Sequence, residues 1–469
     1  MAFFRDRKDW VIFMGTSKEA KEVDLGSGSV GKLLFNLAIP AITAQIINVL
    51  YNMVDRMYIG HLPGVGANAL TGVGVTFPVI MAISAFAALV SMGGAPRASI
   101  MLGKGKKDEA ENILGNCTTA LIVVAVVLTA FFLTFGRSIL LMFGASANTI
   151  EYGWAYMQIY SLGTIFVQLA LGLNAFINAQ GYAKTGMLTV LIGAVCNIIL
   201  DPILMFGFHM GVRGAALATI ISQGISAAWV VLFLLSKKSY LNIRPHYMKP
   251  KAEVLMPAIA LGAAPFVMQF TESILNICFN TSLLKYGGDV AVGAMTIMGS
   301  VMQFSLLPLQ GLTQGAQPII SFNFGAKKLD RVSRTFRLLL ISCMCYSTAM
   351  WAVSMFAPSV FIRIFTKDPA LTAFSTWSIH IYMAAVLLFG AQLACQQTFI
   401  ALGDSKTSLF LALLRKVILL IPLIYVLPAF FENKVFAVFL AEPIADTLAV
   451  CTTVSLFIIS FRKLKREMK

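Results

Sequence analysis

The chain has 469 residues, 58% of them hydrophobic and 12% charged, with a formal net charge of +15. Soluble domains carry about 45–50% apolar and about 25% charged residues, so a water-soluble globular protein is excluded and an all-α integral membrane protein is expected. Seven cysteines and four histidines are scattered without the spacings of zinc or redox sites, which leaves no metal expected beyond Na⁺.

Residues 1–32 form a polar lead-in. The apolar run from Trp10 to Met14 is too short for the core of a signal peptide, and Met14 is an alternative start. Apolar runs then recur along the chain, each near or beyond the roughly 20 residues that cross a bilayer. The first, 33–59, contains Pro40 and ends in Tyr51-Asn52-Met53-Val54-Asp55. Gln45, Asn48, Asn52 and Asp55 are spaced by three and four, so this helix turns one polar stripe inward. A carboxylate at the bilayer centre costs about 2.5–3.5 kcal/mol unless paired, protonated or ion-bound. Asp55 is read that way; an interfacial ion pair with Arg56 is the structural alternative.

Further spans are expected at 69–98, 113–135 and 150–178. Gly72-Val73-Gly74 and Gly93-Gly94 lack the Lys-Ser or Lys-Thr of a phosphate loop and are read as helix-packing glycines. The fifth span, 186–206, places Asn197 and Asp201 four apart on one face, followed by Pro202; the sixth, 213–235, brings Thr219. Two carboxylates, an amide and a hydroxyl are hard oxygen ligands, suited to Na⁺ or to a shared proton.

A polar stretch, 236–254, separates this lobe (33–235) from a second, 255–460, with spans at 255–284, 291–321, 337–357, 371–401, 408–428 and 435–460. The chain thus has about twelve spans. The seventh repeats the stripe as Gln269, Glu272, Asn276 and Asn280, where Glu272 is a candidate for a cationic substrate or a second titrating site. The twelfth carries Glu442 and Asp446 four apart, either functional or paired with Arg415 or Lys416 of the eleventh; those two basic residues are expected to snorkel. Pro40, Pro78, Pro265 and Pro308 are candidate bends, and the 23 methionines and 35 phenylalanines suit a deformable cavity.

Basic residues alternate between connections. With the tail 461–469, one side carries roughly 26 of the 36 Lys and Arg and the other about six, so both termini are expected in the cytoplasm. The positive charge is accounted for by this bias, and no nucleic-acid partner is inferred. Gly93, Pro96, Gly103, Lys106, Asp108, Gly181, Lys184 and Thr185 recur as Gly315, Pro318, Gly325, Lys328, Asp330, Gly403, Lys406 and Thr407 at an offset of about 222 residues, a duplication. Each half has an even number of spans, so the halves are parallel repeats around a central cavity, the geometry of alternating access.

Tyr51 to Asp55 running to Ile59-Gly60, and Asn197-Ile198-Ile199-Leu200-Asp201-Pro202, together with the duplication, resemble the multidrug and toxic compound extrusion family over about residues 25 to 460. The likeness is nearest to the prokaryotic branch containing the staphylococcal-type exporter. The resemblance implies a cation site at Asp55, Asn197, Asp201 and Thr219, and export of organic, amphipathic cations from a cell membrane in exchange for Na⁺ or H⁺. Some members pair a seventh-span glutamate with a tenth-span aspartate; the tenth span here has Gln392, Gln396 and Gln397 instead, which moves weight to the first half. No cofactor, enzyme activity or nucleotide-binding subunit is expected, and a monomer is. A flippase for lipid-linked substrates is the alternative, disfavoured because it needs a strongly basic cavity.

Overall fold

The computed structural model describes residues 24–365 and 368–467; residues 1–23, with Met14, lie outside these. Among the described residues the chain is nearly all helical. The spans are α1 Val30–Gly60, α2 Gly66–Gly103, α3 Lys107–Met142, α4 Ile150–Leu162 with Thr164–Ala179, α5 Ala183–Gly207 and α6 Val212–Leu235. Ala252–Gly325 is one continuous stretch broken at Gly288, and its two arms are α7 and α8. Then come α9 Leu329–Phe356, α10 Pro369–Tyr382 with Val386–Ala401, α11 Ser405–Ala429 and α12 Lys434–Glu467.

Pro40, Pro78, Pro265 and Pro308 lie inside continuous helices, and the breaks between helices fall elsewhere. Pro40 sits within an uninterrupted α1. Breaks occur where the backbone is freest or most crowded: Gly288 takes φ 65°, a left-handed conformation that glycine adopts without a Cβ clash. The fourth and tenth spans bend by 58° and 44°. The first of these bends falls at Gly163, against which Ile220 packs so closely that an added Cβ would lie 2.4 Å from it.

Each span crosses once, so the loops after α2, α4, α6, α8 and α10 share an end with both termini. At this termini end the lobes meet backbone to backbone. A Cβ on Gly103 would lie 1.9 Å from Phe322 O, and one on Gly325 would lie 2.0 Å from Ile100 O, two contacts that exchange under the repeat. Gly93 meets Ala258, Gly262 meets Leu89, Gly311 meets Ile42, and Gly315 meets Ala38 in the same way. Small residues let helices approach closely where no water drives them together. Past the Phe86–Phe266 edge-to-face pair, 5.1 Å between centroids, no such backbone contact joins the lobes among the described residues. A cavity of about 560 Å³ opens there between α2, α3 and α7, lined by Phe86, Phe131, Phe132, Phe270, Ile274 and Ile277 among others. The molecule is closed at the termini end and splayed at the far end.

The segments leading into the two lobes cross over. Leu25, Leu34, Leu37 and Ala38 are buried in the core of the second lobe, and Ala258 in that of the first. Asn323 and Lys328 donate at 2.8 Å to Leu25 O and Gly26 O, and Arg331 donates at 2.8 Å to Gly28 O and Ser27 O. The Ser27 hydroxyl and the Gly26 N–H hold the Asp24 carboxyl below its usual range. Of the stretch 236–254 read from sequence as a polar linker, residues 236–251 are pinned to α3 and the helix of α7 begins at Ala252. Arg244 meets the fully buried Glu111 at 2.7 Å, Thr119 donates to Met248 O at 2.6 Å, and the Lys251 N–H donates to Asn116 Oδ1 at 2.6 Å.

Candidate functional site

In the first lobe, Asp55 (α1), Asn197 and Asp201 (α5) and Thr219 (α6) are all buried and are brought to one region. Asn197 Nδ2 donates to Asp201 Oδ1 at 3.2 Å and reaches Thr219 Oγ1 at 3.5 Å. Thr219 itself donates back to Ala215 O at 3.0 Å, which leaves its lone pairs facing the amide. Asp55 and Asp201 are near enough to repel each other. Arg56 forms no salt bridge with Asp55; its guanidinium lies 5.0 Å from the centre of the Phe77 ring.

The local backbone follows from Pro202, which has no N–H to give to the preceding turn. The helix relaxes into a π-helical turn, Ile203–Gly207, directly after Pro202, an irregularity frequent at functional sites. Asp55 Oδ1, Asn197 Oδ1 and Asp201 Oδ2 are buried and without a hydrogen-bond partner. Each such atom costs about 1–3 kcal/mol, a cost that a cation or proton received there would offset. A chamber of about 40 Å³ adjoins them, lined by Asn48, Tyr51, Asn174, Asn197, Thr219 and Gln223 among others, large enough for a few waters. The rest of the α1 stripe is less enclosed: Gln45 is half-buried and Asn52 exposed, its amide bonded to Asn48 O at 2.6 Å.

In the second lobe, Gln269 is half-buried, and Glu272 and Asn276 are exposed on the splayed part of α7. Arg415 and Lys416 do not snorkel. They sit on a π-helical turn, Leu414–Leu420, and point inward. Arg415 Nε donates to Asp446 Oδ1 at 2.6 Å, its Nη2 meets Glu442 Oε1 at 3.3 Å, and its guanidinium covers Phe389 at 4.8 Å. Lys416 Nζ forms an ion pair with Glu272 and donates to Met268 O at 2.8 Å. A cation inside hydrocarbon is held by such partners because the alternative is an uncompensated charge.

Sequence reading missed the chamber's remaining polar wall. Its signal was present: Thr219, Ser222, Gln223 and Ser226 are spaced by three and four along α6 and line the chamber together.

The MatE family model matches the chain twice, over residues 40–203 and 264–426, once in each lobe. The multidrug export protein MepA of Staphylococcus haemolyticus is 26% identical over 430 residues, spanning 91% of this chain and 94% of its own. MepA of Staphylococcus aureus strain NCTC 8325 is 26% identical over 429 residues, spanning 90% and 93%. Among solved structures, the MATE multidrug transporter DinF-BH, solved as a complex, is 32% identical, with a TM-score of 0.85 over 95% of this chain and 98% of that one. An outward-facing multidrug resistance transporter superposes with a TM-score of 0.88 at 22% identity, covering 96% of this chain and 100% of that one, a likeness of fold.

Proposed function

Since the chain belongs to the multidrug and toxic compound extrusion family, whose members are membrane transporters and not enzymes, we propose that it is a cation-coupled antiporter. In this reading the lobes 33–235 and 255–460 rock as a monomer in the cell membrane. Na⁺ or H⁺ enters at Asp55, Asn197, Asp201 and Thr219, and an organic, amphipathic cation leaves through the cleft between the lobes. The termini end faces the cytoplasm, in keeping with its Lys and Arg, so the conformation described above is outward-open. No nucleotide-binding subunit takes part.

The observation that carries this reading is the set of three buried, unpartnered oxygens on α1 and α5. A cation that enters among these oxygens is stabilised by them. A cation that binds one state better than the other shifts the equilibrium between them by that difference. The export of cationic, amphipathic compounds is supported by the exposed Glu272, the apolar cleft beside α7, and the names of the relatives.

The test is ethidium efflux from de-energised cells under an imposed Na⁺ or pH gradient, with Asp55→Asn alongside. Efflux driven by one gradient and lost in the variant is expected, and it names the ion. Equal efflux in both would overturn the site.

A further inference from the structure

The first lobe leaves its carboxylates short of positive charge, whereas the second brings its own. Three carboxylates (Glu272, Glu442, Asp446) face two basic side chains (Arg415, Lys416), all on α7, α11 and α12. Asp446 is held by Arg415 at 2.6 Å, and Glu442 has the longer contact of 3.3 Å. Glu272 differs from both: its side chain is 61% exposed, whereas the Lys416 that pairs with it is 8% exposed. The carboxylate is exposed on α7, and the ammonium reaches it from the buried side. Lys416 has a second anchor in Met268 O at 2.8 Å, one helical turn before Glu272.

The same turn of α7 ends a buried polar chain from α10. Gln392 Nε2 donates to Gln396 Oε1 at 3.2 Å, and Gln396 Nε2 to Met268 Sδ at 3.2 Å. Gln392 Oε1, buried, has no partner.

We propose, building on the antiport reading above, that Lys416 is a tethered stand-in for the substrate's positive charge. An organic cation entering the cleft takes Glu272 by displacing the ammonium, which retains Met268 O and turns toward the weakly held Glu442. The exchange replaces one cation with another at Glu272 while Lys416 stays in the lobe, so with all five groups ionised the three carboxylates and two basic side chains go from a net charge of −1 to neutral as the substrate enters. It also makes the substrate easier to release, because Lys416 returns to Glu272 as the substrate leaves. Selectivity follows: a monocation meets a carboxylate that its departure will not leave bare, and a neutral molecule gains nothing from displacing the lysine. A flexible lysine suits this role better than arginine, whose rigid fork commits it to fixed partners. The π-helical turn beneath it frees backbone for the movement.

The test uses the full-length protein in detergent and in proteoliposomes, with ethidium as the cationic probe and Nile red as the neutral one. Lys416→Met should bind ethidium about tenfold more tightly than wild type, bind Nile red unchanged, and export ethidium with both KM and maximal rate lowered. Lys416→Arg should keep Glu272 paired and show neither gain. Glu272→Gln should lower ethidium affinity and remove the effect of Lys416→Met in the double variant. A lysine with only a structural role would give equal or weaker ethidium binding in Lys416→Met, together with a lower melting temperature and a matching loss for Nile red; that result overturns the proposal. Absence of ethidium binding from wild type and variant alike overturns it as well. Gradient-driven efflux, lost or kept in Asp55→Asn, decides separately whether the antiport reading stands.

Discussion

Asp201 in the first lobe and Asp446 in the second are both buried deep inside helical bundles of related design, yet Asp201 keeps an oxygen without a partner while Asp446 receives Arg415 at 2.6 Å. Asp201 is surrounded by Asn197, Thr219 and a second carboxylate, all able to offer oxygen to a cation. Asp446 shares its guanidinium with Glu442 and lies near a lysine that reaches α7. One duplicated scaffold thus holds two solutions to the same energetic problem. An unpaired carboxylate is expensive and therefore responsive to a mobile ion; a paired one is stable against entry and exit of ions. At the offset of about 222, Asp201 corresponds to Leu423 and Asn197 to Leu419, so the second lobe carries its charges on other turns.

That comparison can be broken experimentally. The largest effect is expected for Asp201→Asn, which should reduce gradient-driven efflux to background while the protein still reaches the membrane and melts at or above the wild-type temperature, because a neutral amide relieves the repulsion with Asp55. Cell efflux and thermal unfolding in detergent check both halves of the statement; a marked loss of stability would mean that the first-lobe carboxylates are structural. In the second lobe the sign should reverse. Arg415→Met strands Glu442 and Asp446 and should destabilise by about 3–5 kcal/mol. The combined Arg415→Met, Glu442→Gln, Asp446→Asn variant should recover much of that loss. If the triple variant is no more stable than the single one, the ion pairs are not the reason for the difference between the lobes.

Smaller effects are expected where the lobes meet. Gly103→Val forces a methyl against Phe322 O and should cost about 1–3 kcal/mol by overpacking, with increased labelling of a cysteine placed at Ile100 by a water-soluble maleimide. Unchanged labelling would mean that the contact is not a closure. The smallest effect is expected for Arg331→Ala, which gives up hydrogen bonds to Leu25, Ser27 and Gly28 at a partly exposed surface and should cost about 1 kcal/mol. Faster labelling of a cysteine at Gly26 would report the loosened segment.

The helical membrane fold was legible from composition and from the length of its apolar runs, and the repeat from matched Gly, Lys and Pro positions. Gly181 and Gly403, one such pair, both take left-handed φ values, 89° and 82°, which explains why a glycine recurs at that turn. Asn197 with Asp201 was legible because helix geometry alone puts residues four apart on one face. Three features were not. The helix breaks fall at Gly163 and Gly288 whereas the helix runs on through Pro40, because neighbouring helices can shore up a proline but cannot supply the backbone freedom of a glycine. The pair of Lys416 with Glu272 joins residues 144 apart and depends on the inward turn of α11, whereas basic residues near a helix end more commonly reach outward. The pinned lead-ins rely mainly on backbone carbonyls, which every residue carries and no sequence advertises.

Those crossed lead-ins have a consequence for how the molecule is assembled. Neither half contains everything needed to finish itself: the opening turn of each is a plug fitted into the other. A first half expressed alone would leave Leu25, Leu34 and Leu37 without their pocket, and the second would carry that pocket unfilled. The two copies are interlocked, so the ancestral duplication is held in one chain by shared parts as well as by a covalent link. Two separately produced halves should find each other in the membrane and restore the joint.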